Sequence, residues 1–262
     1  MKLASALGSA VLVGGNLLLS GPVLAQQTIE GLGLTVTTTP AALTDYRFRG
    51  ISQTRNRPAA QLSLDVEHGS GIYVGAFVSN ANFAGTNIRQ ELDGLFGYRF
   101  SVGDVKLDIG AVYYGYPGYS RPAGGFEAAW WEGAVRASWQ ANDALKLLGS
   151  VFYSPDFNFE SGNAVYVEGG FDLVAEQSGL TLSLRAGYQW IERNVPTATS
   201  RTDRGYFGAP DYGVFSIGLS REIAYGVVGA VTASTTTLDR ADCFGGAKIC
   251  GTTVVLSLSR PF

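Results

Sequence analysis

Apolar and polar residues alternate with a period of two along most of this chain, in segments about ten residues long. In the segment QLSLDVEH, for example, Leu62, Leu64 and Val66 alternate with Ser63 and Asp65. Successive side chains of an extended strand point to opposite faces, so each segment predicts a strand with one apolar and one polar face. Because helical periodicity does not persist over any long segment, the predicted fold class is all-β.

These segments predict about twelve antiparallel strands, with a range from about ten to about fourteen because the boundaries are imprecise. They lie near residues 32–48, 58–68, 72–80, 88–100, 105–116, 126–139, 144–155, 163–175, 180–191, 211–221, 224–236 and 251–262. The connectors alternate in length. Tight connectors follow the even strands, at 69–71, 101–104, 140–143, 176–179 and 221–223. Longer connectors follow the odd strands, notably 117–125, 192–210 and 237–250.

This alternation of connector lengths is typical of an antiparallel transmembrane β-barrel of the bacterial outer membrane, with short periplasmic turns and longer extracellular loops. Closure also removes the exposed edges of a sheet. The alternative is a soluble sandwich with solvated polar faces and an apolar core, which gives no reason for the alternation. Only 16% of residues are charged, below the roughly 25% of soluble domains, and no apolar run long enough for a membrane-spanning helix follows residue 25.

The N-terminal segment has the pattern of a signal peptide. Residues 1–25 contain one positive charge, at Lys2, then an apolar run and small residues before Gln26. The pattern predicts export from the cytoplasm and cleavage after residue 25. The predicted mature chain, 26–262, is a single outer-membrane barrel domain of a Gram-negative bacterium.

The C-terminal segment GTTVVLSLSRPF supports the same interpretation. Phe262, Leu258 and Leu256 lie on one face of the last predicted strand. This pattern resembles the terminal signature by which the barrel assembly machinery recognises outer-membrane proteins. Arg260 departs from the signature, which usually has an aromatic or apolar residue at that position.

In a barrel, the polar faces of the strands line the lumen. The predicted lumen and mouth charges are Asp45, Arg47, Arg49, Arg55, Arg57, Asp65, Glu67, Glu91, Asp93, Arg99, Lys106, Asp108, Glu132, Arg136, Glu168 and Arg185. If the first strand extends through residue 48, Arg47 faces the lumen while Tyr46 and Phe48 face outward. The clustered arginines could create a positive field at the mouth that favours anions or holds lipopolysaccharide phosphates. Alternatively, Arg47 and Arg49 could pair with lumen acids and brace the wall.

The stretch DYRFRGISQT carries a family resemblance. Together with Pro58, Ala59, Gln61 and the segment GIYVGAFVSN at 71–80, it resembles the TorF-type porin family of proteobacteria, once catalogued as conserved proteins of unknown function. The resemblance is tight over 44–80 and looser but collinear to Phe262. It implies an outer-membrane barrel and supplies no substrate. The sequence LSL at 62–64 replaces the usual glycines, which strengthens the strand there.

Few residues in the chain are suited to catalysis or metal binding. His68 is the single histidine and lies beside a predicted tight turn, so we interpret it as a polar turn residue rather than a general base. Cys243 and Cys250 are an even and close pair in a long loop, which predicts a disulfide in an oxidising compartment. We predict that the protein is not an enzyme and binds no cofactor, metal or nucleic acid.

The predicted function is a passive channel for small hydrophilic solutes. Barrels of about eight strands are filled by side chains and those of sixteen to eighteen enclose aqueous channels, so twelve strands permit a narrow lumen. An inward loop could close it, and the long polar segment 192–210 is the candidate for such a loop. The alternative function is therefore a non-conducting structural or adhesive barrel with a plugged lumen. The expected partners are outer-membrane lipid and lipopolysaccharide, the barrel assembly machinery and the solutes.

Overall fold

The computed structural model describes residues 27–123, 125–192 and 209–262. Twelve long strands account for most of them: β1 Leu34–Leu43, β2 Ala59–His68, β3 Ile72–Asn80, β4 Gln90–Val102, β5 Val105–Gly115, β6 Trp130–Gln140, β7 Leu145–Ser154, β8 Ala164–Ala175, β9 Leu180–Ile191, β10 Tyr212–Ala224, β11 Val227–Thr236 and β12 Thr253–Ser259. The predicted signal peptide lies outside the described residues. No helix in the described part of the chain is long and apolar enough to cross a membrane.

The strands form one closed antiparallel barrel. Each strand pairs with the next along the chain, and β12 returns to β1 with Ser257 opposite Leu43. Two further backbone hydrogen bonds join Phe262 to Thr38, at 3.0 and 2.8 Å, and extend this closing seam. A short strand, Gln27–Ile29, pairs with the first residues of β1 beyond the end of β12. The predicted twelve-stranded, all-β fold class is confirmed.

The connectors divide the barrel into two ends. Tight turns at 69–71, 103–104, 141–144, 176–179 and 225–226 lie at one end, which we call the short-turn end. The connectors at the other end, which we call the long-loop end, span 44–58, 81–89, 116–129, 155–163, 192–211 and 237–252. The first tight turn depends on Gly71, which has φ of 95°; a Cβ atom there would lie 2.1 Å from the Arg99 carbonyl oxygen.

The two faces of the wall differ in chemistry. Outward-facing Phe96, Ile109 and Leu219 are about half exposed, at 53%, 50% and 50%. The inward-facing Asp93 and Glu132, in contrast, are each only 1% exposed. Aromatic pairs cover parts of the outer surface, including Tyr98 with Phe100 and Tyr113 with Trp131. The molecule is therefore inverted relative to a soluble sandwich, with apolar side chains outside and ionisable ones inside.

The first barrel strand is shorter than the predicted segment 32–48. It ends at Leu43, and the connector 44–58 leaves the wall and turns into the barrel. The predicted outward placement of Tyr46 and Phe48 is wrong, because residues 44–48 are not part of a wall strand. Asp45, Tyr46, Arg47 and Arg49 are all buried.

Candidate functional site: the barrel interior

The connector 44–58, which we call the inward loop, contains a small hairpin. Residues Arg47–Phe48 pair with Ile51–Ser52. The chain reverses at Arg49 and Gly50, which both have positive φ, 46° and 79°, as hairpin turns of type I′ require. A Cβ atom at Gly50 would lie 2.5 Å from Thr236 Cγ2, so the turn fits closely against β11. Glycine suits the second turn position, whereas an arginine with positive φ is uncommon.

Asp45 organises the base of the inward loop. Its carboxylate accepts hydrogen bonds from the Ser52 hydroxyl at 2.5 Å, the Thr54 hydroxyl at 2.8 Å and Arg47 Nε at 2.6 Å. Arg47 also donates to the Asn56 side chain at 2.8 Å. These contacts satisfy a buried carboxylate within the loop itself, so the hairpin has a defined shape.

Arg49 joins the tip of the inward loop to the opposite wall. Its guanidinium contacts the Glu132 carboxylate at 2.7 Å and donates to the Gln189 side-chain oxygen at 2.8 Å. The same group lies 4.3 Å from the ring centroid of Tyr166 and 5.0 Å from that of Phe152. Burial is the largest influence and would lower the pKa of Arg49, but the Glu132 carboxylate together with Tyr114 and Tyr166 raises the pKa overall. Four wall strands, β6 to β9, therefore hold one side chain of the loop.

Aromatic packing holds the other side of the inward loop. The Phe48 ring lies 5.7 Å from Tyr114 and 6.0 Å from Trp130, which stack on each other at 4.0 Å. Tyr46 packs against Phe77 and donates its hydroxyl to Glu91 Oε1 at 2.9 Å. Burial, followed by the nearby carboxylates, raises the pKa of Tyr46 well above its ordinary value. The Tyr46 hydroxyl therefore remains a hydrogen-bond donor.

The inward loop is also held by the last long loop. Cys243 and Cys250 form a disulfide there. The backbone carbonyl of Ile249 accepts hydrogen bonds from Arg47 at 2.6 Å and from the Ser52 amide at 3.0 Å. The disulfide packs in an apolar cluster that includes Ile51 of the inward loop. The 237–252 connector thus packs on the inward loop and hydrogen-bonds to it at the long-loop end.

The inward loop packs against the wall in the long-loop half of the barrel. Side chains of this region that are no more than 4% exposed are Tyr46, Glu91, Asp93, Val112, Tyr114, Trp130, Glu132, Tyr166, Gln189, Tyr212 and Val214. Together they come from the inward loop and six wall strands, so the burial extends around much of the circumference. The predicted inward segment, 192–210, lies almost entirely outside the described residues, and the loop observed inside the barrel is 44–58.

The short-turn half contains a second arginine network. Arg99 contacts Asp65 at 2.9 Å, Glu67 at 2.5 Å and Asp108 at 3.7 Å, and its guanidinium lies 3.7 Å from the Tyr73 ring centroid. The side chains of Glu67 and Asp108 are 34% and 21% exposed to solvent.

Three further predicted lumen cations lie in this half. Arg136 lies 3.5 Å from Asp108, and Arg185 forms a buried pair with Asp172 at 2.5 Å. Lys106 is exposed. This half therefore combines a wet network around Arg99 with one buried wall pair.

The remaining predicted site residues are dispersed. Arg55 and Arg57 are exposed at the long-loop end, while Glu168 accepts a hydrogen bond from Tyr166 at 2.7 Å. The His68 ring contacts the Ser70 hydroxyl at 2.8 Å beside the first tight turn. In the described part of the chain, no group of three or more His, Cys, Asp or Glu residues could hold a metal ion.

Several contacts of the inward loop were not identified from the sequence. Gln189 lies four residues from Arg185 and Tyr166 lies two residues from Glu168, so each shares a lumen face with that residue and its inward orientation was predictable. Their partner, Arg49, was not, because its position depends on where the chain leaves the wall.

The C-terminal residues lie at the seam of the barrel. Leu256 and Leu258 are on the outer face, each 51% exposed. The guanidinium of Arg260 lies 4.4 Å from the Phe262 ring centroid, and the Phe262 backbone pairs with Thr38. Arg260, which stands where the terminal signature usually has an aromatic or apolar residue, thus packs over the terminal ring.

The fold is shared with solved porin structures. One is the NanC porin in a rhombohedral crystal form, with a TM-score of 0.55 and 10% sequence identity over 86% of this chain and 97% of that one. Another is the KdgM porin in complex with disordered oligogalacturonate, with a TM-score of 0.52 and 10% identity over 87% of this chain and 98% of that one. At such identities the similarity concerns the fold alone.

Sequence comparison gives a family. No curated protein matches the chain in sequence. A bacterial family of unknown function, Gcw_chp, matches residues 29–262, which include the whole barrel. The chain therefore belongs to the Gcw_chp family of bacterial proteins.

Proposed function

We propose that the chain is an outer-membrane porin of the TorF type, a passive channel for small hydrophilic solutes. The observation that carries this proposal is the inversion of a closed barrel, with apolar side chains outside and charged ones inside. Such a surface is stable against lipid, while a charged lining suits water and polar solutes. The fold shared with the NanC and KdgM porins supports the proposal.

The proposal includes a location and an orientation. Residues 1–25 act as a cleaved signal peptide, and the barrel lies in the outer membrane of a Gram-negative bacterium with its short-turn end facing the periplasm. The outer face contacts lipid and lipopolysaccharide. The terminal residues Phe262, Leu258 and Leu256 are read by the barrel assembly machinery. The protein is not an enzyme, and the turn-flanking environment of His68 supports this.

The two buried arginines of the inward loop, Arg47 and Arg49, act in this proposal as braces rather than as an anion-attracting field. Arg47 pairs with Asp45, and Arg49 pairs with Glu132. Each of these two positive charges is therefore balanced at contact distance and adds little to the net potential, whereas Arg55 and Arg57 lie exposed at the mouth. Solute passage depends more on the width left beside the inward loop than on charge attraction.

A second candidate function is a non-conducting structural or adhesive barrel. It is favoured by one observation, the near-complete burial of the side chains around the inward loop. Side chains that water does not reach do not line an open pathway. In this candidate the long loops contact something outside the cell, and the inward loop is a permanent plug.

Single-channel conductance in planar bilayers distinguishes the two candidates. The wild type is compared with a variant in which residues 46–57 are replaced by a short Gly-Ser linker, with correct folding checked by resistance to unfolding in detergent. The porin proposal predicts small, stable conductance steps for the wild type and larger steps for the variant. A silent wild type with a conducting variant supports the plugged barrel. Silence of both folded proteins contradicts the porin proposal.

A further inference from the structure

Six carboxylates are buried among the residues that the structure describes: Asp45, Asp65, Glu91, Asp93, Glu132 and Asp172. Four of them have an arginine partner, in the pairs Asp45–Arg47, Asp65–Arg99, Glu132–Arg49 and Asp172–Arg185. Glu91 and Asp93 make no ion pair with any described residue. An arginine thus neutralises each of the other buried carboxylates, but not Glu91 or Asp93.

The two exceptions share one place on the wall. Glu91 and Asp93 are separated by one residue near the long-loop end of β4, so both face the lumen. They are 2% and 1% exposed. Ser79 lies opposite Glu91 on β3, and Tyr46 of the inward loop donates its hydroxyl to Glu91. Oxygen atoms of β4 and of the inward loop therefore meet at this point.

Asp93 is the carboxylate here that most lacks a counterion. Both of its oxygens are buried, and neither accepts a well-formed hydrogen bond from a donor group in the described part of the chain. The Glu91 carboxyl group lies within hydrogen-bonding reach of it, and the backbone amide of Gly115 lies near. Buried charges are ordinarily paired or coordinate metals, because an isolated one is costly to remove from water. A second carboxylate beside it adds repulsion rather than compensation.

We propose that Glu91 and Asp93 form a binding site for a divalent cation of the Ca²⁺ type. Two carboxylates balance the charge of one such ion, and hard cations prefer oxygen ligands. The hydroxyl oxygen of Tyr46, with water, is available to complete the coordination. Softer metals are disfavoured because no histidine or cysteine contributes. Tyr46 belongs to the inward loop, so a cation that contacts Tyr46 would bind more tightly when the loop is docked and would stabilise the docked loop.

A shared proton is the competing way to neutralise the pair. Two adjacent carboxylates can hold one proton between them and leave a single negative charge. That arrangement would make stability depend on pH and not on calcium. A cation site therefore predicts that stability depends on calcium, whereas a shared proton predicts that stability depends on pH alone. Neither prediction depends on whether the barrel conducts.

Calcium binding to the purified barrel tests the proposal directly. Because the site is buried, the protein is refolded in the presence of EDTA and then again in the presence of Ca²⁺, each at a pH of about 8, where ordinary carboxyl groups are ionised. Bound calcium is measured by elemental analysis after dialysis, and the thermal unfolding midpoint is measured in detergent. We expect one tightly held Ca²⁺ per chain and a higher midpoint in calcium, with Mg²⁺ less effective.

Two isosteric variants locate the site. Glu91→Gln and Asp93→Asn are each expected to lose stoichiometric calcium binding and the calcium-dependent rise in midpoint. Glu168→Gln is the matched control, because Glu168 also accepts a hydrogen bond from a tyrosine hydroxyl but lies on a different strand, β8. It should bind calcium as the wild type does. Asp93→Asn refolded in EDTA should be more stable than the wild type in EDTA, because it removes the repulsion within the pair.

Several results would overturn the proposal. The first is an EDTA-refolded wild type that takes up no calcium and has the same midpoint with and without it. A midpoint that varies with pH but not with calcium would assign the pair to a shared proton instead. Calcium binding that persists in both variants would place the ion elsewhere. If one variant fails to fold, the wild-type measurement and the other variant still decide the question.

Discussion

The two halves of the barrel interior use arginine in different ways. In the long-loop half, Arg49 reaches from a loop to a wall carboxylate, and the side chains of Arg49 and Glu132 are 4% and 1% exposed. In the short-turn half, Arg99 stays on the wall and contacts three acids, of which Glu67 keeps 34% exposure. Water therefore reaches the second network and not the first.

This difference in hydration determines what each network contributes. Removal of one partner from a dry ion pair leaves an uncompensated buried charge, whereas water can solvate the remaining partner of a wet pair. We therefore interpret the Arg49 network as the attachment of the inward loop and the Arg99 network as a charged lining.

Arg49→Met should be the most damaging of the substitutions considered. It removes the charge while keeping much of the side-chain volume, so Glu132 remains buried without a counterion. We expect a loss of about 3–5 kcal/mol in the free energy of unfolding, measured by urea denaturation in lipid vesicles. The inward loop should also undock, which would raise the single-channel conductance.

The double variant Arg49→Met with Glu132→Leu is the control for this prediction. It removes both charges, so most of the lost stability should return although the loop remains detached from its wall partner. If Arg49→Met were as stable as the wild type, water would reach the Arg49–Glu132 pair, and the two halves would not differ in hydration.

The disulfide should have the next largest effect. Replacing Cys243 and Cys250 together by serine frees a loop of seven-residue separation and should lower the free energy of unfolding by about 2 kcal/mol. The Ile249 carbonyl would then hold Arg47 and Ser52 less firmly. Reducing agent should reproduce the loss in the wild type and leave the double variant unchanged. An equal response of both proteins to the reducing agent would contradict this assignment.

The contrast between the two halves also explains what the sequence could predict. The wall was predictable because β-strands have a fixed period of two, so Leu62 and Asp65 had to face opposite sides wherever the strand began. The alternation of connector lengths then indicated the closed barrel. These local rules apply equally to both halves, and they located the lumen face of β4 and β6 correctly.

The inward loop was not predictable by the same rules. Its residues Tyr46, Arg47 and Phe48 also alternate, so the pattern predicted a continued strand. The departure from the wall depends on hydroxyl groups of Ser52 and Thr54 that bind Asp45 and on a reversal at Arg49. These contacts form only after the chain has turned, and periodicity carries no information about them. Length and polarity pointed instead to the segment 192–210.

Arg99→Gln should change selectivity more than stability. Its removal leaves Asp65, Glu67 and Asp108 without their shared cation, but water reaches the last two. We expect a loss of about 1–2 kcal/mol in the free energy of unfolding, less than for Arg49→Met. If the barrel conducts, the reversal potential in a salt gradient should shift toward cation selectivity. Arg99→Lys, which keeps the charge, should shift it little.

The smallest effect is expected at the rim. Arg121 contacts Glu160 at 3.2 Å, but the two side chains are 52% and 32% exposed. Such a pair gains little because water and salt screen it, so Arg121→Ala should change the free energy of unfolding by less than about 0.5 kcal/mol, and this difference from the wild type should shrink as salt is raised. Arg121 and Arg49 both pair with a glutamate at short distance, but the Arg49 pair is dry and Arg49 also contacts Gln189 and Tyr166. A loss at Arg121 comparable to that at Arg49 would mean that loop packing, and not dehydration, determines the strength of these pairs.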